Sequence, residues 1–344
     1  MKKLAILCMY FMALAACAPR ATPTASSTPL PTIPPPTATQ TPAFPLGAWH
    51  EMFYHEPSRR IILVNGGPES GKAASDPLEL WTWNGSKWSL LSADLHGPRW
   101  RNFGSIAYNS NRDTLILYGG LTSEQDYADT WEWNGKICTR FTVEGPGTRE
   151  GAGMTYDSSR DRVVLFGGAQ NGKMINDTWE WDGTSWTNIS SEGPDARFPA
   201  GFTYNPLEKQ VLLFGGHAFD GQSFTTYGDT WTWNGASWTQ VSATGPSARD
   251  GARTVFVSTI GQVLLFGGAE IAGNVTNLND TWVWDGTQWK RMDIAGPPAR
   301  AHAALAFHDA LDMVLMTGGS NGPGVILKDT WAWNGQIWAC KDGC

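Results

Sequence analysis

The sequence predicts an all-β fold, a six-bladed β-propeller with four antiparallel strands in each blade. Three observations predict it. Gly-Gly recurs at 66, 119, 167, 215, 267 and 318, and a Trp-x-Trp pair starts at 81, 131, 179, 231, 282 and 331. Gly-Pro-x-x-Arg ends at Arg101, Arg149, Arg197, Arg249 and Arg300. The first two marks return every 48 to 53 residues, and self-similarity at one period is the signature of a repeat architecture.

One unit, read from 149 to 189, contains four strand signals in order. "GAGMTYD" is small and alternating. "RVVLFGG" is a continuous apolar run, which suits a strand covered on both faces. "DTWEW" alternates, so Trp179 and Trp181 share one face while Thr178 and Glu180 share the other. Asp182-Gly183 is a hairpin turn signal, and "TSWTNI" follows as the outer strand. No segment has a helical period, and four strands about every fifty residues describe one propeller blade.

Gly-Gly after an apolar strand, an Asp-led aromatic strand, and a Trp seven residues past the first Trp together resemble the kelch repeat. The resemblance spans residues 47 to 340 in six copies. It implies that the Trp residues fill the wedges between blades. A fully buried Trp removes about 150–250 Å² from water, roughly 4–6 kcal/mol before entropy is subtracted. The Asp before Thr-Trp is expected to fix the turn into the third strand through backbone N–H groups. The first unit has its own inner-strand candidate, Trp49 to Tyr54, and the last its own outer strand, Gln336 to Cys340. Closure by packing of unit one against unit six is therefore expected, helped by a clasp at Cys340–Cys344, with a strand donated from 41 to 47 as the rival arrangement.

Three domains are read: 1–16, 17–45 and 46–344. Lys2 and Lys3 precede an apolar run, Leu4 to Ala16, that is too short to span a bilayer and has the layout of a secretory signal. Leu14-Ala15-Ala16-Cys17 resembles a bacterial lipobox, which implies a lipid on Cys17 and a membrane-anchored, extracytoplasmic protein. Residues 18 to 45 are mostly Pro, Thr, Ala and Ser, a composition for a semi-rigid tether. Cys340 and Cys344 flank the turn-forming run Lys-Asp-Gly, so a small terminal disulfide is expected in that setting, leaving Cys138 unpaired.

A net charge of −7 and the lack of a basic stripe argue against nucleic acid as a partner. The expected partner is an unidentified protein or glycan, met by a monomer. Function should lie where the repeat is broken, because variable loops on a rigid frame are the usual place for binding. The loops between second and third strands vary, and propeller topology puts them on the same face as the five repeated arginines. Those arginines are candidates either for a carboxylate-binding annulus or for architecture. Non-repeated polar groups near the channel add His50, Glu51, Glu150, Asp250, Arg253 and His302. Trp49 and Trp100, outside the repeat, are candidate stacking platforms, and His217, Phe219, Asp220, Phe224 and Tyr227 in the longest aromatic loop are the next candidates.

The chain has no His/Cys cluster with metal-ligand spacing, no nucleophile elbow and no expected cofactor. The reading is a binding module without an identified catalytic residue. Its alternative is a sugar-modifying enzyme acting on an acidic sugar at the channel mouth. That alternative rests on the kelch resemblance, since sialic-acid epimerases are six-bladed kelch proteins.

Overall fold

The computed structural model describes residues 50–65, 76–92, 97–241, 244–272 and 274–344. The signal, Cys17, the tether, Trp49 and the strand considered at 41–47 lie outside the described residues. Blade one comprises Glu51–His55, Arg60–Asn65, Glu79–Trp83 and Trp88–Ser92. Blade two comprises Ser105–Asn109, Thr114–Tyr118, Thr130–Trp133 and Cys138–Phe141. Blade three comprises Gly153–Asp157, Arg162–Phe166, Thr178–Trp181 and Trp186–Ser190. Blade four comprises Gly201–Asn205, Gln210–Phe219, Phe224–Trp233 and Trp238–Val241. Blade five comprises Arg253–Val257, Gln262–Phe266, Thr281–Trp284 and Trp289–Met292. Blade six comprises Ala304–His308, Met313–Thr317, Thr330–Trp333 and Trp338–Asp342.

Within each sheet the four strands pair antiparallel in chain order. The first strands of successive blades pack on one another in a closed cycle, blade six against blade one included, so they surround the axis. The second strands lie between two neighbours and their apolar runs are fully enclosed; Val164, Leu165 and Phe166 are inaccessible to solvent. Each turn from third to fourth strand is shaped by its Asn or Asp. The Asn84 Oδ1, for example, accepts from the amides of Ser86 and Lys87 at 3.0 and 2.9 Å.

Three repeated bonds lock the blades together. The outer-strand Trp of one blade donates its Nε1–H to the Thr of the preceding blade's third strand: Trp186 to Thr130 at 2.9 Å, Trp238 to Thr178 at 2.8 Å, Trp289 to Thr230 at 2.9 Å and Trp338 to Thr281 at 3.0 Å. The second Gly of Gly-Gly donates to the carbonyl of the next blade's Arg, Gly120 to Arg149 at 2.7 Å. The first Gly holds a positive φ directly over that carbonyl, and a Cβ on Gly119 would collide with it. The segment before each blade is thereby stitched to the loop behind it, with the Arg149 amide donating back to Tyr127 O at 3.0 Å.

The ring closes with the same bond that joins its other blades. Trp88 of blade one donates to Thr330 of blade six at 3.1 Å. Met52, Leu63 and Trp81 share a core cluster with Ala304, Leu315 and Ala332 across that seam. All four strands of blades one and six come from their own stretches. The Cys340–Cys344 disulfide forms as expected, but both cysteines lie at the end of blade six's outer strand, so the bond itself links no second blade.

One seam departs from the pattern. At the junction of blades one and two the Thr position holds Leu80 and the outer Trp position holds Cys138, so donor and acceptor are both missing. Trp100 packs into the cluster that contains Leu80 and Cys138. The equivalents of Trp100 in the next four blades are the small residues Thr148, Ala196, Ala248 and Ala299. The bulk has moved from strand to connector. Trp100 is 6% exposed, so it fills the seam and is no stacking platform, which corrects that expectation.

Candidate functional site

The site is best approached through what the five arginines do. Each is 3% exposed or less. Arg249 Nη1 donates to Asp280 Oδ1 at 2.6 Å and to Gly267 O at 3.0 Å, while Nη2 reaches Asp280 Oδ2 at 3.0 Å and Nε reaches Ser247 O at 3.0 Å. Arg101, Arg149, Arg197 and Arg300 repeat the fork with Asp129, Asp177, Asp229 and Asp329. The same carboxylates accept the first indole N–H of the third strand, as Asp177 does from Trp179 at 2.8 Å. Burial pushes the Asp280 and Asp329 carboxyls up, but the guanidinium bonds outweigh it and hold both below the usual carboxylate range.

One alternative is decided here in favour of architecture, and one expectation is corrected. The arginines make no positive annulus, because every fork is filled by a carboxylate of its own blade. The Asp that leads the third strand serves Arg and Trp side chains rather than the turn amides. Tyr227 belongs to the same scaffold, since the Arg197 guanidinium lies 3.6 Å from its ring centroid.

The residue after each arginine has a fixed backbone place and a side chain that differs from blade to blade. Asn102, Glu150, Phe198, Asp250 and Ala301 each form an isolated antiparallel bridge to the residue behind the Gly-Gly pair. The following residue turns the chain with a left-handed backbone in four blades. Gly151 and Gly251 take φ 61°, the conformation glycine favours, whereas Phe103 and His302 adopt φ 55° and 57° with full side chains. A non-glycine residue there costs on the order of 1 kcal/mol. The fold accepts that cost at two positions, and both side chains line one central cavity.

That cavity opens on the face of the variable loops and encloses about 270 Å³. Its walls come from all six blades: Glu51 from one, the loop Leu121–Asp126 from two, Glu150 from three, Phe198, Phe202, His217 and Phe224 from four, Asp250 and Arg253 from five, and His302 from six. The blade-four hairpin, with strands of ten residues each, carries His217 and Phe224 toward it. His217 lies 5.1 Å from the Phe198 ring and 5.7 Å from Phe224.

Charge in the cavity is arranged around Asp250. His217 Nδ1 stands 2.9 Å from Asp250 Oδ1, an ion-pair distance off the hydrogen-bond direction, and His302 Nε2 stands 3.5 Å from Oδ2. Burial drives the His302 imidazole down to about 4 despite Asp250, with Arg253 and His217 pushing the same way, so it is neutral at pH 7. Arg253 is committed to Glu51 at 3.0 Å and to Ala303 O at 3.0 Å. His50 is fully buried and lowered to about 4, first by desolvation and then by Arg253.

Of the expected site residues, the structure brings Glu51, Glu150, His217, Asp250, Arg253 and His302 to the cavity. Phe219 stays at the hairpin tip, its ring tilted against that of Phe224 at 4.7 Å between centroids. Of the aromatic walls, Phe224 is expected from the aromatic loop, whereas Phe103, Phe198 and Phe202 were missed. The signal for Phe103 and Phe198 was a non-repeated place just after an arginine, which shows variability but not which variants face inward; Phe202, inside an inner strand, gave none. Among the described residues, no three His, Cys, Asp or Glu side chains are grouped to hold a metal ion.

Comparison with known proteins adds the fold alone. No family model and no curated protein matches the sequence. A solved structure titled "Structure of YjhT" superposes with a TM-score of 0.66 at 12% identity, covering 88% of this chain and 99% of that one. It too is a propeller.

Proposed function

We propose that this chain is a kelch-type binding module, held outside the cytoplasm by lipid on Cys17 and lifted from the membrane by the 18–45 tether. Its ligand, a glycan or an extracytoplasmic protein, is met by the variable-loop face and enters the central cavity. One observation carries the reading: a cavity of about 270 Å³ whose lining includes the non-repeated Phe103, Glu150, Phe198, Asp250 and His302. Ligand pockets are typically concave and aromatic-lined with a few convergent polar groups. The strained Phe103 and His302 support it, because backbone strain collects at functional sites. The acidic-sugar enzyme reading loses its motive, since the arginines that would have met a carboxylate are neutralised by aspartates.

The test is a glycan-array and extracytoplasmic-protein screen with the full chain in detergent, repeated on Phe198→Ala. A ligand whose retention falls at least tenfold with Phe198→Ala, while Thr187→Ala on an outer strand leaves it unchanged, supports the module. Ligands held equally by both variants would place binding elsewhere. The anchor is tested separately by palmitate labelling, which Cys17→Ala should abolish.

A further inference from the structure

The irregular seam between blades one and two also opens a groove. In five blades the second indole of Trp-x-Trp packs on the outer-strand indole opposite it: Trp83 on Trp88, Trp181 on Trp186, Trp233 on Trp238, Trp284 on Trp289 and Trp333 on Trp338, with centroids 5.4–6.5 Å apart. Those five inner rings are 2% exposed or less. Opposite Trp133 stands Cys138 instead, and Trp133 is left partly exposed. A second cover is missing at the same place. Arg112, Arg160 and Glu208, from the turn between first and second strands, lie over Gly183, Gly235 and Gly286 in the outer turn of the following blade. Blade one has the short Ser58 at that position, and nothing lies within 4 Å over Gly135. Gly85 and Gly335 are also bare, but their seams keep the paired indoles. Among the described residues, both covers are lost at this seam alone.

The result is a groove of about 340 Å³ whose lining includes His55, Ser58, Arg60, Trp133 and Lys136. His55 faces the Asp113 carboxylate at 2.8 Å and the Ser58 hydroxyl at 2.7 Å. Arg60 and Lys136 are exposed, and among the described residues neither side chain has an ion-pair or hydrogen-bond partner. An uncovered indole face offers a flat apolar platform to a ring, and a guanidinium with an ammonium offers donors to an anion. We propose that this groove is a second binding site, taking a flat ring that carries a carboxylate, sulfate or phosphate. The ring would lie on Trp133 and its anionic group would meet Arg60 and Lys136. The groove shares no lining residue with the central cavity, so the two sites are independent. Both cations stand in solvent, so binding should weaken as salt is raised.

Saturation-transfer NMR and calorimetry on the full chain in detergent test this with five probes: glucuronate, glucose, benzoate, benzyl alcohol and acetate. The expected result is binding of at least one ring acid, with its neutral counterpart and acetate about tenfold weaker. The two pairs separate a sugar acid from an aromatic acid as the source. Arg60→Gln combined with Lys136→Gln, both on the surface, should weaken the ring acid about tenfold. Trp133→Leu should weaken it by a similar factor, while Thr187→Ala on another outer strand leaves it unchanged. Ring acids that bind no better than glucose and benzyl alcohol would overturn the proposal, as would acetate binding equally well or no probe binding at all. A ring acid released by Phe198→Ala but not by the Arg60 and Lys136 changes belongs to the central cavity, which overturns the second site and leaves the proposed module standing.

Discussion

His302 shows how one residue can be costly to the backbone and costly to titrate. It holds a left-handed backbone where two other blades use glycine, and burial keeps its ring neutral down to about 4. An unfolded histidine titrates near 6.5. Between about pH 6.5 and pH 4 the unfolded chain therefore binds a proton that the folded chain refuses, so stability falls as pH drops through that window and levels off below it. His50, lowered by the same cause to about 4, adds to the loss. Thermal melts should show the midpoint dropping as pH is lowered from 7 to 4. His302→Gly, matching Gly151 and Gly251, should still fold and should flatten part of that drop. A His302→Gly protein with an unchanged pH profile would mean that the ring titrates normally in the folded state. Sequence could mark His302 as the odd residue after Gly-Pro-x-x-Arg, but not its φ, because backbone handedness at that turn is visible only where glycine advertises it.

At the scale of strands and seams, the blades are joined by one indole-to-threonine bond per junction, and the exception proves instructive. Blades one and two lack both partners of that bond and take their bulk from Trp100. Trp100→Ala should leave a void worth about 3–5 kcal/mol. Cys138→Trp alone should overpack the seam by about 1–3 kcal/mol. The triple change Trp100→Ala, Cys138→Trp and Leu80→Thr rebuilds the pattern of the other junctions, and should recover most of the loss in urea unfolding. A triple variant as unstable as the sum of its parts would show that the two packings are not alternatives. The Trp88–Thr330 bond makes a related point about ring closure. Thr330→Val removes the acceptor of Trp88 together with the contact to the Thr317 hydroxyl, and should cost about 1–3 kcal/mol, at least as much as Thr130→Val at an interior junction. These couplings were written in the chain as departures from its own repeat, yet their meaning needed the seam geometry, since residues 80, 100 and 138 are far apart in sequence.

Across the whole molecule, monotony and irregularity divide the labour. The strand pattern, the six units and the wedge-filling indoles were legible because period and composition alone specify them; Trp181, Trp233, Trp284 and Trp333 are all 2% exposed or less. The face on which the cavity opens was legible too, from loops that vary while turns do not. What a sequence could not assign was the partner of each arginine. Arg149 and Asp177 are 28 residues apart and meet only when the second and third strands pair. The same Arg-Asp fork in five blades turned a possible ligand annulus into a set of internal struts, and left a phenylalanine-walled cavity above it. Two consecutive residues therefore have opposite roles, Arg149 in the frame and Glu150 at the mouth. Comparing melting temperatures of Arg149→Met and Glu150→Gln tests this division directly. Breaking a buried pair costs about 3–5 kcal/mol, so Arg149→Met should melt roughly 10 °C lower for a domain of this size, with Glu150→Gln shifted by no more than about 2 °C. An Arg149→Met protein as stable as the parent, or a Glu150→Gln protein as damaged as it, would contradict the account.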